Sequence, residues 1–370
     1  MAAASYARAR SLRKFDWWLA VSALILLGLG LATMYSVSLA PRYQGQFSAH
    51  LIRVAIGVLP LTLFLLAPPR LWQRSAVGLY VLNLGLLIGV RLVGTRGGGA
   101  QRWIELGGIE FQPSEVSKIL LALTLASFFA SRMDKIDRFS TFALSFLHLL
   151  IPASLVFMQP HLGAAIVLVV IWLSISIVAG VPLKFILAPI VLVIALFAIG
   201  FAVPGVLKDY QKERLTSLWS GDTQGSSFQV SRAELAFGSG GLGGTGYLKG
   251  EQKMAGIIPD QRTDFIFTVV GEEGGFIGAG IVVAAFGFFF FRGWLVMYRS
   301  IDPFSKLAAA GIIGALAFHA VANLFMNVQL MPVVGLWLPF FSYGGTAMWM
   351  CMASVGLLLS LRRHERPLLF

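Results

Sequence analysis

The chain has 370 residues, of which 57% are hydrophobic and only 12% charged, with a formal net charge of +12. A soluble domain carries roughly a quarter charged residues, so this composition excludes an ordinary cytoplasmic enzyme, and so much apolar surface excludes a disordered chain. A single cysteine, Cys351, excludes a disulfide scaffold and any cysteine-built metal cage.

Apolar runs of about 18–25 residues, the length that spans a bilayer, recur near 17–37, 49–67, 76–95, 113–130, 141–159, 161–181, 184–204, 275–297, 306–330 and 343–361. They predict an all-α, polytopic membrane bundle of ten transmembrane helices, organised as one domain over residues 1–370. The first run is too long for the apolar core of a signal peptide and has no clear cleavage site, so it reads as a retained span. An even number of spans puts both termini on one side, and the basic residues choose it. With the N-terminus inside, the cytoplasmic segments hold sixteen bases, from Arg8, Arg10, Arg13 and Lys14 to Arg362, Arg363 and Arg366, against five acids, Asp16, Asp134, Asp137, Asp302 and Glu365. The outer segments are nearly neutral. The positive charge is therefore a topology signal, and no nucleic-acid partner is expected.

Most loops are short. The exception is the outer loop at about 205–274, which is Gly-punctuated and mildly hydrophobic, and is expected to be partly ordered with short helices. Its Gly238–Gly246 run, GSGGLGGTG, contains a formal G-x-G-x-x-G. No strand precedes it and it lies outside the cytoplasm, so it is no dinucleotide fingerprint. A turn, or backbone that comes close to a ligand, fits better.

Charges inside spans are costly and usually face a bundle interior or a wet cavity. Four fall there: Arg53, Arg91, Glu115 and Lys118. Arg91 is equally well placed to snorkel outward. Glu115 and Lys118 share a helical face at i,i+3, and the pair is expected to line a polar cavity rather than only fix helix register. A second cluster is Asp260, Arg262, Asp264, Glu272 and Glu273. Asp264 stands where the chain re-enters the membrane, and partial desolvation there would make it a better base. The plainer alternative is a helix-capping aspartate beside a solvated acidic loop. The five histidines have no metal-binding spacing, and His148 and His319 read as hydrogen-bonded core residues.

Three motifs in order carry a resemblance to a known family. They are Gly99–Ile104 with Phe111–Glu115 and Lys118; Gly238–Leu242 with Gly246, Gln252, Lys253, Ile258, Pro259, Thr263–Phe267, Glu272 and Glu273; and Pro332, Gly335, Leu338–Phe340 and Ser342–Gly345. Together they resemble the SEDS family (shape, elongation, division and sporulation), over essentially the whole chain. Met331–Gly335 and Gly250–Lys253 look closer to its RodA-like elongation branch than to its FtsW-like division branch.

The resemblance implies a peptidoglycan glycosyltransferase of the bacterial plasma membrane, with both termini cytoplasmic. Such a protein polymerises lipid II into glycan strands at the outer face for elongation and shape. It works with a class B penicillin-binding protein, other elongation-complex proteins and membrane lipids. The family's essential aspartate maps onto Asp264, and its glutamate and lysine of the fourth span map onto Glu115 and Lys118. The α-linked diphosphate of the donor becomes a β-1,4 link, so transfer inverts, and one general base suffices. Arg102, Lys118, Arg53 and Arg214 are the candidates for holding the departing undecaprenyl diphosphate. A divalent cation, Mg or Mn, is often involved and no nucleotide is needed; Asp264 and His161 are the candidate metal ligands. One departure stands out. The family commonly reads Gln-Pro-Asp-Leu-Gly where this chain has Gln159-Pro160-His161-Leu162-Gly163, so a carboxylate is missing there. A lipid-precursor flippase, or a non-catalytic scaffold that activates the transpeptidase, is the alternative reading of the same spans.

Overall fold

The computed structural model describes residues 15–97, 100–106, 109–189, 191 and 225–365. The helices in chain order are α1 (Trp17–Ser38), α2 (Gln46–Leu66), the short α3 (Pro69–Arg74), α4 (Ala76–Val93), α5 (Pro113–Ala130), α6 (Phe139–Phe157), α7 (Leu162–Ala179), α8 (Gly225–Gly240), the single-turn α9 (Glu251–Met254), α10 (Phe267–Arg299), α11 (Pro303–Asn327) and α12 (Gly345–Arg363). Among the described residues, nine helices are long and apolar enough to cross a membrane: all of these except α3, α8 and α9. They answer nine of the ten expected spans. Residues 183–189 are helical, and the rest of the span expected at 184–204 lies almost wholly outside the described residues. The chain is a multi-pass membrane protein.

Capping residues start two of the spans. The Asp16 carboxylate accepts a 2.9 Å bond from Leu19 N at the start of α1 and also takes Arg292 of α10 at 2.7–2.8 Å. Asp302 accepts from Ser305 N at 3.0 Å, and Pro303 fills the first position of α11, where a missing N–H costs nothing.

Burial sorts the bundle into a centre and a rim. The apolar windows of α5 and α12 are 78% buried and that of α11 is 67% buried, against 17% for α2 and α4. The central helices carry small polar residues that are fully enclosed, such as Ser117, Ser354 and Ser360, whereas the rim turns Leu, Val and Ile towards lipid. Helices in lipid associate by close packing of small residues. A side chain at Gly356 would stand 2.2 Å from the Leu61 carbonyl oxygen, and one at Gly30 would stand 2.1 Å from that of Phe340.

The two described ends of the chain lie at the same end of the bundle. Asp16 reaches Arg292 late in α10, and Ser300–Pro303, just beyond α10, line one cavity of about 600 Å³ with Leu361, His364 and Glu365. The opposite end is the loop end, and there the structure departs from the all-helical expectation. Residues between α4 and α5 form a three-stranded antiparallel meander, β1 (Thr95–Gly97), β2 (Ala100–Leu106) and β3 (Ile109–Phe111), in the order β1-β2-β3. Trp103 pairs with Thr95 and Ile104 with Phe111.

The second departure is the start of α10. The hydropathy run predicts 275, but the helix begins at Phe267 and is broken at Gly275, whose φ of 60° and ψ of −160° no helix adopts. Glu272 and Glu273 therefore do not sit in a solvated acidic loop; they are buried in the second turn of α10. The glycine run explains the break. The N–H groups of Phe276 and Ile277, freed by it, donate to the carbonyls of Gly241 and Leu242 at 2.9 and 3.1 Å. A side chain at Gly240 would stand 2.1 Å from the Gly271 oxygen and one at Gly244 would stand 2.0 Å from that of Glu273. The run packs closely on the backbone of α10.

Candidate functional site

The loop end has a small apolar core of its own, made by Ala233 and Ala236 of α8 with Ile258, Phe265, Met326 and Val333. Burying Phe265 fixes the residue before it. Asp264 N donates to Asp260 O at 3.0 Å, and the Asp264 carbonyl accepts from Asn323 Nδ2 at 2.8 Å and Asn327 Nδ2 at 3.0 Å, both on α11. The same Asn323 amide holds Leu336 O at 2.7 Å. Ser342 Oγ donates to Thr263 O at 2.6 Å, and Tyr343 N donates to Arg262 O at 2.8 Å. The strip Arg262–Asp264 is thus stitched to the α11–α12 connection. The Asp264 carboxylate is half-buried over Gly335, where an added Cβ would meet Oδ2 at 3.5 Å.

Two residues beyond Gly335, Trp337 leads to the second sequence-predicted group. Its Nε1 donates to Glu115 Oε2 at 3.0 Å, and its ring stacks on His319 with centroids 3.9 Å apart. Lys118 Nζ donates to both Glu115 oxygens, at 2.7 and 2.8 Å, and lies 2.8 Å from His319 Nε2. An ammonium has three N–H groups and no acceptor, so His319 Nε2 accepts the third and its proton sits on Nδ1. Pro113 at the first helical position and Glu115 in the first turn suit the start of α5. Glu115 is 1% exposed and Lys118 and His319 are 0% exposed. The expected polar cavity is therefore not what encloses this pair; protein does, with every Lys118 donor used. His148 is hydrogen-bonded too, with Nε2 2.9 Å from Thr124 Oγ1.

The remaining candidates scatter around this end. Arg102, on β2, donates Nε to Gln159 O at 3.0 Å and also bonds Pro160 O. His161 follows, with Nδ1 3.2 Å from Ser114 Oγ and 3.4 Å from Gln112 Nε2. Arg53 lies with its guanidinium 4.2 Å from the Tyr343 ring centroid. Arg91 is exposed at the end of α4, within 3.7 Å of Met158 Sδ. Arg214 lies outside the described residues. Among the described residues no three His, Cys, Asp or Glu side chains come together in a group that could hold a metal ion.

Sequence reasoning placed Lys253 in a motif but missed its burial and its partner. It is 0% exposed, ion-paired with Glu273 and bonded to Ser36 of α1, while Ser36 Oγ donates to both Glu273 oxygens at 2.7 and 2.8 Å. Next to it Glu272 accepts from Gln252 N at 2.6 Å and Lys253 N at 3.2 Å. The signal was present: a lysine in an amphiphilic loop and two adjacent glutamates after an apolar stretch. Nothing in their spacing said that they meet.

Fold and site define a polytopic helical-bundle membrane protein with a fixed carboxylate and a buried ionic network at one end. The chain matches the family described as cell cycle protein (FTSW_RODA_SPOVE) over residues 17–367. It is 32% identical over 326 residues to peptidoglycan glycosyltransferase MrdB of Escherichia coli K12, covering 88% of this chain and 87% of that one. It is 36% identical over 298 residues to the probable peptidoglycan glycosyltransferase FtsW of Geobacter sulfurreducens, covering 79% and 78%. Its fold superposes with a TM-score of 0.82 on a chain from a peptidoglycan synthase complex that coordinates polymerization and crosslinking, at 29% identity over 95% of this chain and 98% of that one. The rod shape determining protein RodA of Thermus thermophilus superposes with a TM-score of 0.71, at 28% identity and 95% and 98% coverage. The chain belongs to the FtsW/RodA/SpoVE family, the SEDS proteins that its motifs resemble.

Proposed function

We propose that this protein is a peptidoglycan glycosyltransferase that polymerises lipid II at the outer face of the plasma membrane, with the loop end outside and both termini in the cytoplasm. The activity rests on family membership and on relatives named for it. The observation that carries the mechanism is the Asp264 strip: a half-buried carboxylate whose backbone is tied to α11 and to the α11–α12 connection by four hydrogen bonds. A general base must be held where the acceptor arrives.

Asp264 takes the proton of an acceptor sugar hydroxyl as that oxygen attacks the anomeric carbon of the donor. The carbon–oxygen bond to the diphosphate breaks, undecaprenyl diphosphate leaves with the electron pair, and the configuration inverts. Glu115, Lys118 and His319 hold Trp337, and through its chain Gly335, beneath that carboxylate. The partner fitting this reading is a class B penicillin-binding protein, which crosslinks the strands that this chain makes.

The test is polymerisation of lipid II by purified protein in detergent, alone and with that partner. Asp264→Asn keeps the shape and removes the basicity; we expect a loss of about 10²–10⁴-fold with an unchanged melting temperature. Near wild-type polymerisation by the Asn variant would refute the assignment. Absence of polymer from the wild-type complex would favour a flippase or scaffold.

A further inference from the structure

A second cavity, of about 330 Å³, lies on the flank of the bundle between α4, α5 and α6. It belongs to the end that carries the described termini. Ser127 Oγ in its wall donates to Gln73 O at 3.2 Å, and Gln73 also lines the larger cavity beside Ser300 and His364. Val77, 80% exposed, forms its outer lip. Arg132 stands just past the end of α5, and Thr124 lies two turns further in. The cavity therefore occupies the depth at which lipid headgroups meet hydrocarbon.

Most polar groups in its wall are committed. Pro152 has no N–H for the carbonyl of His148, four residues earlier, and Tyr80 OH donates to that carbonyl at 3.0 Å. The Thr124 hydroxyl donates to Leu121 O at 3.2 Å, so its oxygen accepts from His148 Nε2 at 2.9 Å. Two groups keep unused capacity. In this tautomer His148 Nδ1 carries a lone pair, and nothing among the described residues donates to it. Arg132 uses only Nη1, on Phe128 O at 3.3 Å and Ser131 Oγ at 3.1 Å. Its Nε and Nη2, the side of the fork that suits a phosphate, bond nothing among the described residues, and no carboxylate there pairs with it.

An arginine at a helix end ordinarily reaches out to water. Arg132 instead folds back along α5, with its guanidinium 4.2 Å from the Phe128 ring centroid. The His148 ring lies 6.0 Å from the same centroid. One aromatic ring thus joins a cation with free donors to an imidazole with a free acceptor, in a cavity whose described lining holds no acid. A basic pocket between spans at this depth suits an anionic headgroup, and the bare acceptor asks for a hydroxyl.

We propose that this cavity holds one anionic glycerophospholipid. Its phosphodiester bonds Arg132, and a hydroxyl of its headgroup donates to His148 Nδ1, as the glycerol of phosphatidylglycerol can. The acyl chains lie over the exposed Val77 and Val81 of α4. With the termini in the cytoplasm the lipid belongs to the inner leaflet. The site is independent of the polymerase reading.

The experiment is native mass spectrometry of delipidated protein in detergent, with melting temperature as the folding control. The probes are phosphatidylglycerol, phosphatidylmethanol and phosphatidylcholine of identical acyl chains, with glycerol phosphate as soluble competitor. We expect one phosphatidylglycerol held per chain, about tenfold more tightly than phosphatidylcholine. Phosphatidylmethanol, with the same charge and no hydroxyl, should fall between them. Arg132→Gln should abolish the preference over phosphatidylcholine, and Arg132→Lys should keep part of it. His148→Phe should make phosphatidylglycerol and phosphatidylmethanol bind alike. Arg74→Gln, exposed and outside the cavity, should change nothing; a loss equal to that of Arg132→Gln would mean diffuse surface attraction and overturn the site. Wild-type protein that binds phosphatidylglycerol and phosphatidylcholine equally also overturns it, as does a folded Arg132→Gln variant that keeps the preference. If the Gln variant does not fold, the Lys variant decides: a preference reduced several-fold supports the site and an unchanged one overturns it. Equal binding of phosphatidylglycerol and phosphatidylmethanol by wild type removes the hydroxyl contact at His148, whether or not His148→Phe folds. Full displacement by glycerol phosphate at matching concentration overturns the lipid and assigns the cavity to a soluble phosphate.

Discussion

Among the described residues two lysines are wholly enclosed, and they are enclosed for different ends. Lys118 pairs with Glu115 inside one helix, three residues away, and the pair looks inward to His319 and Trp337. Lys253 pairs with Glu273 across twenty residues of sequence and meets Ser36 from a third element. The first fixes side chains on helices that the central bundle already packs. The second is itself a junction: α9, the start of α10 and the end of α1 meet on it. Ion pairs are costly to bury and are retained where they specify an arrangement. Here one specifies the floor beneath Asp264, and the other specifies where the long loop lies.

The comparison can be broken at each lysine. Lys118→Met leaves Glu115 buried with only the Trp337 donor, so the whole bundle should lose about 3–5 kcal/mol. Thermal unfolding should show one cooperative transition at a much lower midpoint, with polymerisation lost in the same preparation. Lys253→Met should cost about as much locally but be read differently. Residues 240–254 should become protease-sensitive well below the temperature at which the spans unfold, because local opening has its own free energy. A single global transition with no early cleavage would mean that both pairs do the same job. The smallest effect belongs to His161→Asp. A carboxylate there would accept from Ser114 and Gln112, which already face the imidazole. We expect activity equal to wild type or a few-fold higher; a large loss would show that the site depends on the ring.

The same contrast governs what the sequence could tell. Glu115 and Lys118 were legible because a helix turns i and i+3 to one face. Nine span positions were legible because a bilayer demands a continuous apolar run. The start of α10 was not, because Gly271, Glu272 and Glu273 depress hydropathy where the helix is buried against protein rather than lipid. Lys253 was legible as a motif residue but its burial was not, since its partners lie far away in sequence at Ser36 and Glu273. The meander was not legible: of Gln101 to Leu106 only Ile104-Glu105-Leu106 alternates, and although Gly107-Gly108 marks the turn, so short a period-two signal carries no weight next to strong helical runs. Asp264 was picked out by its place at the membrane edge and by the motif around it. The asparagines of α11 that hold it gave no signal in an apolar helix.

The break at Gly275 bears on how the protein sits in membranes of different thickness. An uninterrupted helix from Phe267 to Arg299 would be about 50 Å long, far more than the roughly 30 Å of hydrocarbon it has to cross. Broken at Gly275, the part from Phe276 to Arg299 is about 36 Å long and suits a bilayer with modest tilt. The part above it is joined through Glu272, Glu273 and the glycine run to the loop, and leads back to Asp264. A thinner or thicker bilayer is met by tilting the lower rod alone, while the upper turns stay in register with the aspartate. Polymerisation rates in nanodiscs of short and long acyl chains should therefore differ little. A steep dependence on chain length would mean that the two rods move as one.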